Sequence, residues 1–482
     1  MSLTQEVTAM SNRKSTFALL FGNRGFFPAF LMKEAREELP RVIKEWGHEV
    51  LMMPEDATPH GAVETTQEGK LYADWLRRNH GKYDGVILSL PNFGDETGAV
   101  AALKDAGVPI LIQAYPDDLD KMQTKNRRDS FCGKVSVMNV FYQYGVTYTA
   151  LKPHTVKPSS ERFHGNVDYF DRLCRVVNGV KEMTVGALGA RTTPFKTVRI
   201  DETTLQRHGI TVETMDLSEV FARVKSMSTN DDAYKERARA LSDVSSWEGV
   251  PEIKLENLTK LSLVLDDIAD EFGMDALSLR CWTEMQTELG ISPCLVLGML
   301  NEVGRSAACE VDVGNAVMMY ALQLASAEGC SGLLDWNNNY GDDDDKCILF
   351  HCGPMPMSMM TGKGRISDHA IISESATGSG SGFGCNTGRI VPTDMTLGSL
   401  STGDGKIRCF LGEGRFTDDP IPEEFFGCAG VAHIPRLQDV MQYVGMQGFR
   451  HHVSVAPGHI MEPLREALGH YLGFEVTVPQ DE

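Results

Sequence analysis

The chain has 482 residues, of which 42% are hydrophobic and 23% charged, and a formal net charge of −20. That length exceeds one ordinary core and predicts two or three domains, and no apolar run is long enough to cross a bilayer. An acidic surface repels phosphate backbones and anionic lipid, which argues against nucleic-acid and membrane partners.

The N-terminus carries a few charges ahead of a short apolar stretch, Phe17 to Phe21. It is too short for a signal h-region and lacks a small-residue cleavage site, so it reads as the first strand of a cytoplasmic protein. Helical spacing follows over Ala29 to Trp46, a second strand over His48 to Met53, and a helix around Leu71 to Asn79. Tyr83 to Leu90 reads as a third strand, Thr97 to Ala106 as a helix and Val108 to Ala114 as a fourth strand. This alternation predicts a doubly wound parallel sheet, with ligands gathered beyond the carboxyl ends of its strands. Arg24 and Asn92 stand at two of those ends.

A second unit begins near Phe163, with a helix over Val167 to Val180, a strand over Met183 to Leu188 and a further βα pair within Val198 to Phe221. The charged segment Lys225 to Glu252 reads as exposed helix or helical hairpin. After it come a long helix (Asn257 to Phe272), a strand (Ala276 to Trp282) and helices near Pro293 to Glu302 and Val311 to Glu328. Beyond residue 330 the character changes. From Ile371 to Leu411 the chain is rich in Gly, Ser and Thr, with short β-type runs in and beside it at Ile366 to Ile372, Met395 to Leu400 and Lys406 to Leu411, a composition of antiparallel sheet or barrel. The predicted fold class is therefore α/β: two doubly wound parallel-sheet domains at 1–160 and 161–330, then a β-rich, barrel-like C-terminal domain at 331–482.

Several motifs carry little chemistry. The run Asp342 to Asp345 reads as a solvated loop, because like charges repel and it lacks the ligand spacing of a calcium loop. Gly378 to Gly384 lacks the Lys-Ser/Thr ending of a phosphate-binding loop and reads as a flexible hairpin or lid. Gly22-x-x-Gly25 and Gly186-x-x-Gly189 are too short for a dinucleotide fingerprint. Eleven cysteines without a C-x-x-C pair read as reduced, mostly buried thiols.

The remaining signal lies in acids and histidines at the ends of apolar runs. Glu310 sits in Cys309-Glu310-Val311-Asp312-Val313, close to a helix N-terminus that favours a carboxylate. Asp335 follows Gly332-Leu333-Leu334, and His351 ends Cys347-Ile348-Leu349-Phe350. His451 and His452 lie in a strand-like stretch, where alternation admits only one of the pair to a given site. Two carboxylates and one or two imidazoles make a shell for a divalent cation, and oxygen-rich ligation without thiolate suits Mn²⁺, with Mg²⁺ or Co²⁺ as alternatives, over Zn²⁺. Cys309 and Cys352, which flank these residues, read as packing.

At these positions the chain resembles the L-fucose isomerase and L-arabinose isomerase superfamily. Cys309-Glu310-Val311-Asp312-Val313, Asp335, His351-Cys352-Gly353, Gly412-Glu413-Gly414 and Arg450-His451-His452 fall in the family's order. Pro457-Gly458-His459 and the Ala467 to Gly473 stretch look like its C-terminus. The resemblance implies an aldose–ketose isomerase acting on a small sugar through an enediol. Glu310 and Asp335 would be acid/base pair and metal ligands, His452 a ligand, and His351 a fourth ligand as in the arabinose branch, while Asp at 335 follows the fucose branch. It further implies a homo-oligomer, hexamer or trimer, in which a neighbour's N-terminal domain closes the site. Arg24 and Asn92 are the residues assigned there, and Asn337 and His451 are assigned to substrate. A sugar-binding or regulatory protein of isomerase-like fold is the alternative, and a modified sugar is a further option for the substrate.

Overall fold

The structure is a computed structural model and describes residues 14–481. Its contacts divide the chain into two compact units, one through Asn178 and one from Gly179 on.

In the first unit, β1 (Thr16–Phe21), β2 (Glu49–Met52), β3 (Gly85–Leu90) and β4 (Ile110–Ala114) form a parallel sheet in the order β2-β1-β3-β4. Every residue of β3 and β4 is buried, as expected of strands covered on both faces. Helices Phe30–Glu45, Thr66–Arg78 and Glu96–Leu103 connect the strands. The second of these starts at a capping box between Thr65 and Glu68, and the third at Asp95, whose carboxylate accepts from the Thr97 and Gly98 N–H groups.

The second unit contains two sheets. β5 (Thr184–Leu188), β6 (Thr211–Met215), β8 (Ala276–Leu279) and β9 (Ser306–Cys309) form a second parallel sheet, in the order β6-β5-β8-β9. The larger sheet is mixed. It takes in the short β7 (Ser245–Ser246), then β10 (Gly332–Asn339), β11 (Lys346–His351), β12 (Gly364–Ser367), β13 (Cys385–Arg389), β14 (Thr393–Gly403), β15 (Lys406–Phe416), β16 (Cys428–His433), β17 (His452–Pro457) and β18 (Glu475–Thr477). Because β15 pairs with β16 as well as β14, the strands β15-β14-β17-β10-β11-β16 close on themselves. The apolar interior includes Leu334, Leu349, Met395, Phe410, Phe416, Val453 and Val455. The barrel-like expectation is met by an antiparallel ring with extra strands on its flanks.

The helix Val313–Ala325 links the two sheets. It contacts β8 and β9 on one side and β14 and β17 on the other. A helix walled in on both sides must be apolar around its circumference, and Val-Gly-Asn-Ala-Val-Met-Met-Tyr-Ala-Leu-Gln-Leu-Ala is buried at ten positions, leaving no polar stripe for solvent. Its N-terminus therefore points its preceding loop at the start of β17.

Two predicted strands fall clearly short of their sequence patterns: Ala276 to Trp282 ends at Leu279, and a second breaks off early. Ile366 to Ile372 is extended only to Ser367, after which a helical turn (Ala370–Ile372) and a π-turn (Ser373–Thr377) follow. The Asp368 carboxylate accepts from the N–H groups of His369, Gly380 and Gly382 at 3.0, 2.7 and 2.8 Å, and from the Ser373 hydroxyl at 2.7 Å. Donors that a ladder would have used are gathered on one side chain, and the segment folds back as a cover. Asp342 to Asp344 are exposed, and the cysteines are free thiols. Among the described residues no helix is long and apolar enough to cross a membrane.

Candidate functional site

Glu310 and Asp312 lie in the loop between β9 and the helix Val313–Ala325. Glu310 and Val311 both have left-handed backbone conformations, with φ of 62° and 58°. Such angles are costly for a β-branched residue and persist where the surroundings over-determine them. They turn the chain so that Glu310 and Asp312 both face His452. Asp312, not Glu310, caps the helix, accepting from the Asn315 N–H at 3.0 Å. Glu310 is instead held by the Trp282 indole, whose Nε1 donates to Oε1 at 3.1 Å.

The mixed sheet supplies the other members. β10 and β17 pair with Asp335 opposite His452, and β11 pairs with β10 on its other side and ends at His351. His452 Nε2 is 3.1 Å from Glu310 Oε2 and 3.4 Å from Asp335 Oδ1, and its Nδ1 is 2.8 Å from Asp312 Oδ2. The His351 ring centroid lies 5.7 Å from that of His452. One donor atom each from Glu310, His351 and His452 falls within a 4.8 Å span, and so does one each from Asp335, His451 and His452.

The strand rule that admits only one of His451 and His452 does not hold here. β17 begins at His452, so His451 stands in the preceding bend, where alternation no longer applies. Its backbone carbonyl accepts from the Trp336 N–H, and its Nε2 comes within 3.6 Å of Asp335 Oδ1. His452 is fully buried, whereas His451 is 42% exposed.

Burial and charge act together on these groups. Burial pushes Asp335 up to about 7, with His452 opposing and Glu310 reinforcing. Burial alone would lower His452, yet the Asp312 and Glu310 carboxylates at its two ring nitrogens raise it to about 10. His351 is driven down to about 3, chiefly by burial. For Glu310, burial is outweighed by the adjacent His452, with His351 and the Trp282 indole adding to it, and its carboxyl ends below the usual range. Asp312 falls well below that range because the Arg450 guanidinium and His452 overcome its burial.

Glu310 and Asp335 line a cavity of about 390 Å³. Asn337 and His451 line it too, as do Cys309 and Cys352, so these two thiols form wall as well as packing. Ile371, Ile372, Ser375 and Ala376 of the folded-back segment close one side. Gln286 was not evident from sequence. Its Nε2 donates to Cys281 O at 2.9 Å and Ser292 Oγ at 3.0 Å, while its Oε1 is buried on the cavity wall without a partner. Asp312 was visible in the Glu-x-Asp motif, opposite an Arg-x-His motif at 450–452, but no local signal tied the two.

Arg24 and Asn92 belong to the other unit, at the carboxyl ends of the adjacent strands β1 and β3. Asn92 is fully buried, accepting from the Arg24 and Gly94 N–H groups at 3.2 and 3.0 Å and donating to Asn23 Oδ1 at 2.9 Å. Arg24 pairs with Glu96 and Asp95 and lies 4.5 Å over the Phe93 ring.

Residues 18–181 match the N-terminal domain of fucose/sulfoquinovose isomerase, and residues 349–479 match the C-terminal domain of L-fucose isomerase. A sulfoquinovose isomerase of Alkalicoccus urumqiensis is 22% identical over 80% of this chain and 83% of its own length. One of Clostridium sp. (strain MSTE9) is 26% identical over 67% and 70%. Apo D-lactate dehydrogenase of Escherichia coli aligns over 64% of this chain and 94% of its own, with 11% identity and a TM-score of 0.15, which carries no argument.

Proposed function

The chain belongs to the fucose/sulfoquinovose isomerase family of aldose–ketose isomerases, and on that premise we propose that it moves a sugar carbonyl between C1 and C2 with a divalent cation held by Glu310, Asp335, His351 and His452. One observation carries this reading. Glu310 Oε2, Asp335 Oδ1, His351 Nε2 and His452 Nε2 are all buried and none is satisfied by a well-formed hydrogen bond; the two carboxylate oxygens and His452 Nε2 face only one another, at 3.1 and 3.4 Å, or a neighbouring imidazole. Four such atoms are costly to bury together unless a shared cation satisfies them. Two carboxylate oxygens and two imidazole nitrogens suit Mn²⁺, with Mg²⁺ and Co²⁺ as alternatives.

When bound, the cation supplies Lewis-acid polarisation of the sugar carbonyl and offsets charge developing on the enediolate. The chain's own residues do the rest. Glu310 enters from the helix loop and Asp335 from β10, so acid and base come from different elements and can serve different carbons of one enediol. One carboxylate takes the proton at C2 and the pair returns a proton at C1. His451 and Asn337 are assigned to sugar hydroxyls. The apolar wall of Phe195, Trp282, Phe350, Ile371 and Ile372 suits the carbon chain of the sugar and limits water around the reacting carbons.

Gln286 Oε1 accepts from a sugar hydroxyl, because both Nε2 hydrogens are committed elsewhere. Gln286→Met is expected to raise KM about 3- to 10-fold with kcat little changed, because the sugar contact, made equally in ground and transition states, goes together with the two bonds that hold the side chain to Cys281 O and Ser292 Oγ. An unchanged KM for the preferred sugar removes this contact.

A homo-oligomer, hexamer or trimer, with a neighbour's N-terminal domain closing each site and Arg24 and Asn92 facing it, is part of the same proposal, as is the three-domain division near residues 160 and 330. The test is a screen of pentoses, deoxyhexoses and sulfoquinovose with Mn²⁺ present. Conversion of one of them to its ketose is expected. No conversion of any, by protein shown to hold the metal, would overturn the isomerase reading in favour of a binding protein.

A further inference from the structure

The imidazole of His452 is gripped from both ends. Its Nε2 looks toward Glu310 and Asp335, while its Nδ1 lies 2.8 Å from Asp312 Oδ2. Asp312 is fully buried and every part of its carboxylate is used. Oδ1 accepts from the Asn315 N–H at 3.0 Å and from the Arg450 guanidinium, and Oδ2 accepts from Asn315 Nδ2 at 2.7 Å as well as facing His452. Arg450 is itself only 3% exposed. The carboxylate therefore has one orientation available, set by the helix N-terminus and the guanidinium on Oδ1 and by Asn315 Nδ2 on Oδ2.

A ring nitrogen that ligates a cation must present its lone pair, and the remaining proton then resides on the other nitrogen. A carboxylate on that second nitrogen fixes both the tautomer and the ring plane. We propose that Asp312 is a positioning residue for the cation: it locks the His452 ring so that Nε2, and not Nδ1, is presented to Glu310 and Asp335. The inference rests on the metal-dependent reading of the site. The two left-handed residues before Asp312 belong to the same device, since they let Glu310 and Asp312 approach opposite ends of one ring from adjacent turns of chain.

Asp312→Asn separates positioning from support. Asn is as good a helix cap as Asp, and its side-chain oxygen is held on the Arg450 and Asn315 N–H side, where donors converge. That leaves the amide NH₂ facing Asn315 Nδ2, whose bond to Oδ2 is lost, and His452 Nδ1, where it favours the tautomer with its proton on Nε2, toward the cation. Because the single change also leaves a buried guanidinium facing a neutral acceptor, the double variant Asp312→Asn/Arg450→Gln is made beside it, along with Arg450→Gln alone.

Mn²⁺ alone is titrated into each metal-stripped protein by calorimetry, with circular dichroism to confirm folding. The two variants in which Asp312 is replaced, D312N and D312N/R450Q, are expected to bind Mn²⁺ about 10- to 100-fold more weakly than wild type, the range seen when partners of a ligating His are removed. Arg450→Gln alone, which keeps the carboxylate on His452, is expected to stay near wild type. Wild-type affinity in the folded Asp312→Asn proteins overturns the proposal alone, as does an equal loss in Arg450→Gln, which would make the pair a fold support. A wild-type protein that binds no Mn²⁺ overturns this proposal and the metal reading together, and is recognised before any variant is compared.

Discussion

Glu310→Gln is expected to lower kcat by at least about a thousandfold, because a positioned acid or base contributes 10²- to 10⁴-fold and this residue is also assigned to the cation. The substitution is nearly isosteric. Gln can still offer an oxygen to the Trp282 indole, which donates to Glu310 Oε1 at 3.1 Å, so the fold of the loop is retained. What is lost is the negative oxygen facing His452 Nε2, replaced by an amide that cannot take a proton from carbon. Asp335→Asn should be similarly severe, since Asp335 sits opposite His452 in the sheet and its Oδ1 makes no hydrogen bond, facing only the His452 and His451 rings at 3.4 and 3.6 Å. Rates at saturating sugar, with circular dichroism to confirm folding, check both. Near-normal turnover in either variant would remove the assigned roles.

Stripping the metal is the second large effect. Dialysis against a chelator is expected to bring turnover to about 1% or less of its starting value, and Mn²⁺ to restore it, since polarisation of the carbonyl is the chemistry the side chains cannot supply. Stability should follow. A ligand that binds only the folded state adds about 2.7 kcal/mol at a hundred times its dissociation constant, so Tm should fall by several degrees on removal and recover on addition. Full activity in protein whose metal content is shown to be negligible would defeat the proposal.

Much of the fold is legible along the chain because it is local. The first four strands are short apolar runs between helices, and burial on both faces is why β1, β3 and β4 run continuously, while β2 at the sheet edge is only partly covered. The loop and strand ends that carry Glu310, Asp335 and His351 are visible for the same reason, as polar residues that interrupt or end an apolar run. Where a single side chain competes for backbone donors, the pattern misleads. Asp368 draws in four donors and ends a strand that the residues Ile366 to Ile372 otherwise predict. The bend before β17 does the same to His451, which departs from the alternation its neighbours obey.

Residue order by itself determined the kinds of element, the parallel sheets, the β-rich end and the set of acids and histidines available for a site. Periodicity and capping act over a few residues, so they can be read without knowing the partner. Tertiary structure alone decided which of those groups meet. Asp312 reaches His452 across 140 residues of chain, and Ser454 of the same strand reaches Asn315 across 139. Closure of β15 onto β16 and the register of β10 with β17 bring Asp335 to His452. Contacts of that span depend on how sheets and one shared helix pack, and packing is a property of the whole unit that no short window of residues contains.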